Sequence, residues 1–199
     1  MPRRSDSKTR MIAAARRLFG ERGYVGTAFS DVLAESAAPR GSVYFHFPGG
    51  KEELGIEVAL MHLADTVSRI NRSALRVGTA AAMIEEFVNH SRDRLAASGY
   101  REGCAVAPIV IEMTPASQQL TDVTRRGFQD VVSTFAARLA EKGVPAAEAT
   151  DLATSTVAGV EGALIVARSL RDDSPFETVR ALLVERANRV SNSTDATAR

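Results

Sequence analysis

The chain has 199 residues, 45% of them hydrophobic, with three histidines, one cysteine and a formal net charge of +1. Ala, Leu, Arg and Glu outweigh the strand-favouring Ile, Thr, Tyr and Phe, a balance that points to packed helices rather than sheets. A single cysteine, Cys104, excludes an internal disulfide framework, no apolar run approaches the ~18 residues of a membrane span, and no apolar segment follows the N-terminal MPRRSDSKTR, so the expectation is a soluble cytoplasmic protein without signal peptide or membrane anchor.

In chain order, TRMIAAARRLFGERG predicts a first helix with Ile12, Ala15, Leu18 and Phe19 on one face, stopped by Gly23. VGTAFSDVLAES follows, with Thr27 as the cap of a short helix that buries Phe29, Val32 and Leu33. AAPRG reads as a turn and GSVYFHF as a third, very short helix. PGG then separates it from KEELGIEVALMHLADTVSRINRSAL, a fourth helix of about 20 residues. Beyond Gly78, TAAAMIEEFVNHSRDRLAASG is amphipathic through Met83, Ile84, Phe87, Val88 and Leu95. GCAVAPIVIEM, interrupted by Pro108, predicts one or two short buried helices. Leu120, Val123, Gly127, Val131, Phe135 and Leu139 recur at spacings of three or four and predict another helix. The last two helices open near Pro145 and Pro175, the second burying Phe176, Val179, Leu182, Leu183 and Val190. The C-terminal SNSTDATAR has nothing to bury, and residues 193–199 read as a disordered tail.

The segment 36–54, SAAPRGSVYFHFPGGKEEL, carries the functional signal. A helix of six or seven residues persists only by packing on neighbours. Val43 and Phe47, four apart, share the face that docks on Leu18, Phe19 and Val32, which turns Ser42, Tyr44, Phe45 and His46 sideways or outward. Arg40 supplies a charged donor and Gly41 lets backbone approach a surface closely. The background is basic: residues 1–51 hold nine Lys/Arg against four Asp/Glu, whereas the remainder holds 16 against 20. A helix, a tight turn and a second helix presenting polar and aromatic groups describe a helix-turn-helix reader of the DNA major groove.

Residues 9–54 resemble the DNA-binding domain of the TetR family of bacterial transcriptional regulators. The carriers are Thr27, then Gly41, Ser42, Val43, Tyr44, Phe45, His46, Phe47 and Lys51 in order. APRGSVYFHFPGGKEEL, GCAVAPIVIE and EGALIVAR are similar to the LmrA-like branch of drug-responsive repressors. Two positions depart from the family pattern: Ala37 stands where Gly is usual, and the Pro48–Gly50 insert displaces Lys51 by one residue. The resemblance implies an all-α protein with a three-helix DNA-binding domain over 1–54 and a ligand-binding and dimerisation domain over 55–192, the fourth helix being shared. It implies that Arg40, Ser42 and Phe45 face base edges or sugars, with Arg40 suited to guanine. Thr27, Tyr44, His46 and Lys51 would hold phosphates, with Gly41 at the close approach and Arg3 and Arg4 as an arm over a neighbouring groove.

For the second domain it implies a homodimer through the last two helices, whose small residues Ala158, Gly159, Gly162, Ala163 and Ala167 permit close approach. The implied partners are palindromic operator DNA and a small hydrophobic effector that releases the repressor. Met83, Ile84, Phe87, Val110, Met113, Phe128, Val132, Phe135 and Val160 are the candidate cavity residues. Release would be a population shift toward a dimer with mis-spaced recognition helices, carried by the fourth helix. No cofactor, metal or catalytic residue is expected. PGGK lacks the G-x-x-x-x-G-K-[ST] spacing, His46, His62 and His90 with Cys104 lack metal-ligand spacing, and no carboxylate is placed to orient His46 toward Ser42. Glu112 and Glu161, set among apolar residues, are open to ligand contact or simple pairing. The alternative reading is an all-helical small-molecule binder or enzyme without DNA binding.

Overall fold

The computed structural model describes residues 4–197, with side chains described over 7–192. Among the described residues every regular element is a helix. They are α1 (Arg4–Arg22), α2 (Phe29–Ser36), α3 (Ser42–His46), α4 (Gly50–Arg76), α5 (Ala80–Ala97), α6 (Ala107–Met113), α7 (Gln118–Glu141), α8 (Ala146–Leu170) and α9 (Ser174–Thr197). The all-α expectation holds. The helix α4 runs to 27 residues, longer than its apolar pattern suggests. The α9 backbone is helical to Thr197, and the remainder of the expected 193–199 tail lies outside the described residues. The Arg3 arm also lies outside them, as does the Arg4 side chain.

The chain divides into two compact units: Met1–Ala64 with Cys104–Gly127, and Asp65–Gly103 with Phe128–Arg199. The sequence reading places its boundary at residue 54 and assigns α6 to the second domain. In the structure α6 belongs to the first unit, together with the start of α7.

In the first unit, Met11, Ile12, Ala15, Leu18 and Phe19 of α1 pack on Val32, Val43, Phe47, Leu54 and Val58, all 5% exposed or less. Tyr24 meets Phe19 edge-on at 5.2 Å and lies so close to Gly55 that a Cβ there would stand 2.9 Å from its ring. At Gly127 a Cβ would meet the Leu63 side chain at 2.2 Å, so both glycines are needed for helix approach. The helix α6 is single, with Pro108 in its first turn rather than breaking it. It is buried at Ile109, whereas Ile111 is exposed, which corrects the expectation of a wholly buried segment.

In the second unit, Phe87 and Phe135 pack at 5.0 Å, and α9 lies against both α5 and α8. Gly159 permits the α8–α9 approach, since a Cβ there would meet Val179 at 2.9 Å. Phe176, Leu183 and Ala187 of α9 are buried. Leu182, expected in the core, is instead 63% exposed.

Candidate nucleic-acid interface

The helix α3 is held by its two apolar residues. Val43 and Phe47 are buried, while Tyr44 is 84% and Phe45 67% exposed, Arg40 and Gly41 are exposed, and His46 is half-buried between the Phe45 and Phe47 rings. Two large aromatic side chains on a five-residue helix, both left in solvent, form a presented surface. Gly41 has φ −71, so its backbone demands no glycine. No described atom lies within 4 Å of where its Cβ would stand, so the edge it offers is open.

The turn that sets α3 at its angle is closed by short-range bonds. Ala37 ends α2 in the left-handed region, φ 51, the position the family pattern gives to Gly. Arg10 Nε donates to the Ser36 carbonyl at 3.1 Å, satisfying the C-terminal end of α2. The Ser42 N–H and hydroxyl both donate to the Pro39 carbonyl, at 2.9 and 2.6 Å. The Ser42 donor is thereby committed to the turn, and what it retains for a base edge is its acceptor capacity. Gly50, at φ +70, opens α4, and Glu53 accepts from the Gly49 N–H at 2.8 Å in the manner of a helix cap.

Two of the residues read as phosphate contacts are held elsewhere. Thr27 is 1% exposed, and its hydroxyl donates to the Gly23 carbonyl at 2.8 Å. The cap of α2 is Ala28, whose N–H donates to Asp31 at 3.0 Å, so the cap expected at Thr27 is corrected: that hydroxyl satisfies the end of α1 instead. Lys51 is half-buried; its Nζ donates to the Val25 carbonyl at 3.1 Å and lies 4.7 Å from the Tyr24 ring centroid. Burial pulls the Lys51 ammonium below the usual lysine range, and the Glu112 charge pushes partly back. Burial, then Glu52 and Glu112, pushes the Tyr24 phenol up to about 12.

Several acids in the first unit have partners. Arg17 bridges Glu21 at 2.7 Å and Glu35 at 2.6 Å, Lys8 holds Glu57 at 2.5 Å, and Glu52 accepts from the Ser117 hydroxyl. These pairs occupy cations as well as acids, and Glu57, from outside the N-terminal 51 residues, takes up Lys8, so the basic surplus of that segment is reduced by its neighbours.

The second unit holds a cavity of about 280 Å³ walled by α4, α5 and Phe135 of α7. Of the nine candidate effector residues it brings together Met83, Phe87 and Phe135. Ile84 and Val160 are buried but line other parts of the core, and Phe128 and Val132 are half-buried away from it. Val110 and Met113 sit on α6 in the first unit. The walls also carry polar groups the sequence reading passed over: Arg69, Ser73, Arg76, Glu86, Asn89 and His90. Glu86 is bound by Ser73 at 2.5 Å and Arg76 at 2.8 Å; although burial opposes its charge, these two donors hold the carboxyl below its usual range. The Asn89 Oδ1 is buried without a hydrogen-bond partner. Among the described residues, no helix is long and apolar enough to cross a membrane, and no three His, Cys, Asp or Glu side chains group as metal ligands.

Residues 11–58 match the family described as bacterial regulatory proteins, tetR family, and residues 80–182 match the transcriptional regulator LmrA/YxaF-like C-terminal domain. The chain is 28% identical over 172 residues to the HTH-type transcriptional regulator LmrA of Bacillus subtilis (strain 168), spanning 86% of this chain and 91% of that protein. It is 32% identical over 184 residues to an HTH-type transcriptional regulator of Mycobacterium tuberculosis (strain ATCC 25618 / H37Rv), spanning 88% and 91%. Among solved structures, a TetR transcriptional regulator from Legionella pneumophila superposes with a TM-score of 0.79 at 21% identity, covering 89% of this chain and 95% of that one. One from Agrobacterium tumefaciens superposes at 0.80 with 18% identity, covering 93% and 99%.

Proposed function

Since the chain belongs to the TetR family of bacterial transcriptional regulators, with an LmrA/YxaF-like C-terminal domain, we propose that it is a repressor that binds a two-fold symmetric operator as a homodimer and is released by a small effector. The observation that carries this reading is the display on α3: Tyr44 and Phe45 stand in solvent while Val43 and Phe47 anchor the helix beneath them. Arg40 and Phe45 read base edges or sugars, Ser42 accepts from a base, and Tyr44 and His46 hold phosphates. Thr27 acts from below, by fixing the end of α1 against which α2 is set.

One recognition helix of five residues touches few base pairs, so useful affinity needs two copies. The dimer face is the apolar stripe left in solvent on the last two helices: Ile165, Val166 and Leu170 of α8, and Leu182 of α9. Gly162, exposed and with no described atom near its missing Cβ, lies along the same stripe and allows close approach.

The effector reading is refined by the cavity. Its aromatic wall, Phe87 and Phe135, suits a flat apolar body, while Asn89 and the arginines on α4 suit a polar end. The effector is therefore amphipathic rather than purely hydrophobic, and it acts by preferring a dimer whose α3 helices are wrongly spaced. No catalytic role is assigned to any residue.

A nuclease footprint of the purified protein on the DNA upstream of its own gene tests the proposal. A protected palindrome, lost on adding an aromatic compound with a polar end, is the expected result. Absence of protection on any duplex while small aromatic compounds still bind would favour a helical small-molecule binder instead.

A further inference from the structure

Glu112, on α6, reaches a loop 87 residues away in sequence: its Oε2 accepts from the Val25 N–H at 2.5 Å. The carbonyl of the same residue accepts from Lys51 Nζ at 3.1 Å. Both backbone groups of Val25 are thus gripped, one by a carboxylate and one by an ammonium. The loop is shaped around that carboxylate. Gly23 takes φ +87, and a Cβ there would stand 2.6 Å from Glu112 Oε1, so a side chain at residue 23 would expel it. The nearer acid in sequence, Glu52, accepts from the Ser117 hydroxyl. The Lys51 ammonium lies over the Tyr24 ring, half-buried, with Glu112 as the charge acting on it.

We propose that Glu112 is an internal counter-charge that holds Lys51 in the α1–α2 loop and competes with the DNA backbone phosphate for it. The contact is an autoinhibitory brake on sequence-independent affinity. It rests on the reading of this chain as a DNA-binding regulator. A phosphate that captures Lys51 must draw the ammonium off the Val25 carbonyl and away from Glu112, so in the wild type Lys51 is withheld from the DNA backbone in most complexes. Because phosphates carry no sequence information, the brake acts equally on operator and random duplex and lowers affinity for both without changing their ratio. Glu112 is a positioning residue here: it acts through Lys51 and touches no DNA.

The test compares wild type, Glu112→Gln, Lys51→Met and the double variant, with binding to operator-region and random duplex measured across salt. Gln retains a carbonyl oxygen for the Val25 N–H, so the loop stays closed and only the charge is lost. Glu112→Gln is expected to bind both duplexes about 5–10-fold more tightly near 0.1 M salt, with a salt slope steeper by about 1 per protomer. In the Lys51→Met background the same substitution is expected to do nothing. A Glu112→Gln protein that binds more weakly, or at unchanged slope, overturns the proposal, as does a gain that persists without Lys51. Glu112→Asp, which withdraws the charge by one methylene, should move in the same direction by a smaller amount and guards against a folding defect in the first variant. Wild type that binds no duplex defeats the regulator reading itself; wild type that binds while Glu112→Gln gains nothing defeats only the competition.

Discussion

Val43 and Tyr44 are neighbours in sequence with opposite surroundings: Val43 is 4% exposed and Tyr44 84%. Substituting each by alanine should therefore separate folding from function. Val43→Ala removes two buried methyl groups and is expected to cost about 2 kcal/mol. Tyr44→Ala is expected to leave stability within about 0.5 kcal/mol while weakening DNA binding at least several-fold. Thermal melts beside binding isotherms check both. Equal loss of stability in the two variants would contradict the division of labour on α3.

Gly41 offers a smaller probe of the same surface. Its backbone is ordinary and no described atom crowds the place of its missing Cβ. Gly41→Ala should thus leave the fold untouched, or slightly stabilised through the unfolded chain. If DNA approaches the backbone there, one methyl group lowers operator affinity. An alanine variant that binds as tightly as wild type would show that the duplex stays clear of residue 41.

Ala37 sits at φ 51, a conformation that crowds its Cβ against the carbonyl oxygen. Ala37→Gly is expected to stabilise the protein by about 0.5–1 kcal/mol, raising the melting temperature by about 1–4 °C. A lower melting temperature would mean that the Ala37 methyl group packs more favourably than the turn is strained.

The phenol of Tyr24 gives a pH signature. Its folded value is pushed up to about 12, above the unfolded value of about 10. Below about pH 10 the neutral phenol is favoured in both states and the contribution is complete. As pH rises from about 10 through 12 the unfolded chain loses the proton first, so stability falls. Alkaline denaturation of wild type against Tyr24→Phe checks this, the variant being expected to lose stability less steeply in that window. Identical slopes would show that Tyr24 ionises freely in the folded protein.

The stripe of Ile165, Leu170 and Leu182, each more than 60% exposed, should be covered in solution by a second copy. Ile165→Glu with Leu182→Glu places like charges on both sides of that interface. Sedimentation is expected to report dimers for wild type and monomers for the double variant, with operator binding lost in parallel. A dimeric double variant would move the interface elsewhere.

How legible these features were in the sequence depended on their range. The α3 display was readable because Val43 and Phe47 fall one helical turn apart, which leaves Tyr44 and Phe45 no core to enter. Thr27 misled because a threonine ahead of an apolar run has the local chemistry of a cap. Its actual partner, the Gly23 carbonyl, is chosen by how α1 ends. The Glu112–Val25 bond left no local trace, since nothing in IVIEM announces a loop 87 residues earlier. Leu182 fits the apolar period of α9, and period alone does not say which side meets the chain and which a partner. The cavity was the least legible. Met83, Phe87 and Phe135 were found by their apolar spacing, whereas Arg69, Asn89 and His90 carry no such signal and enter the wall only through helix packing.

The claim beneath all of this is that α3 meets DNA, and the salt dependence of binding to the upstream duplex by fluorescence anisotropy addresses it most directly. Two protomers that between them neutralise about six phosphates with lysine and arginine side chains of the first unit should lose about a thousandfold in affinity between about 50 and 200 mM salt, and Arg40→Ala should lower affinity for the operator more than for random DNA. Binding that barely changes with salt, or that survives loss of both Arg40 and Tyr44 intact, would contradict the account.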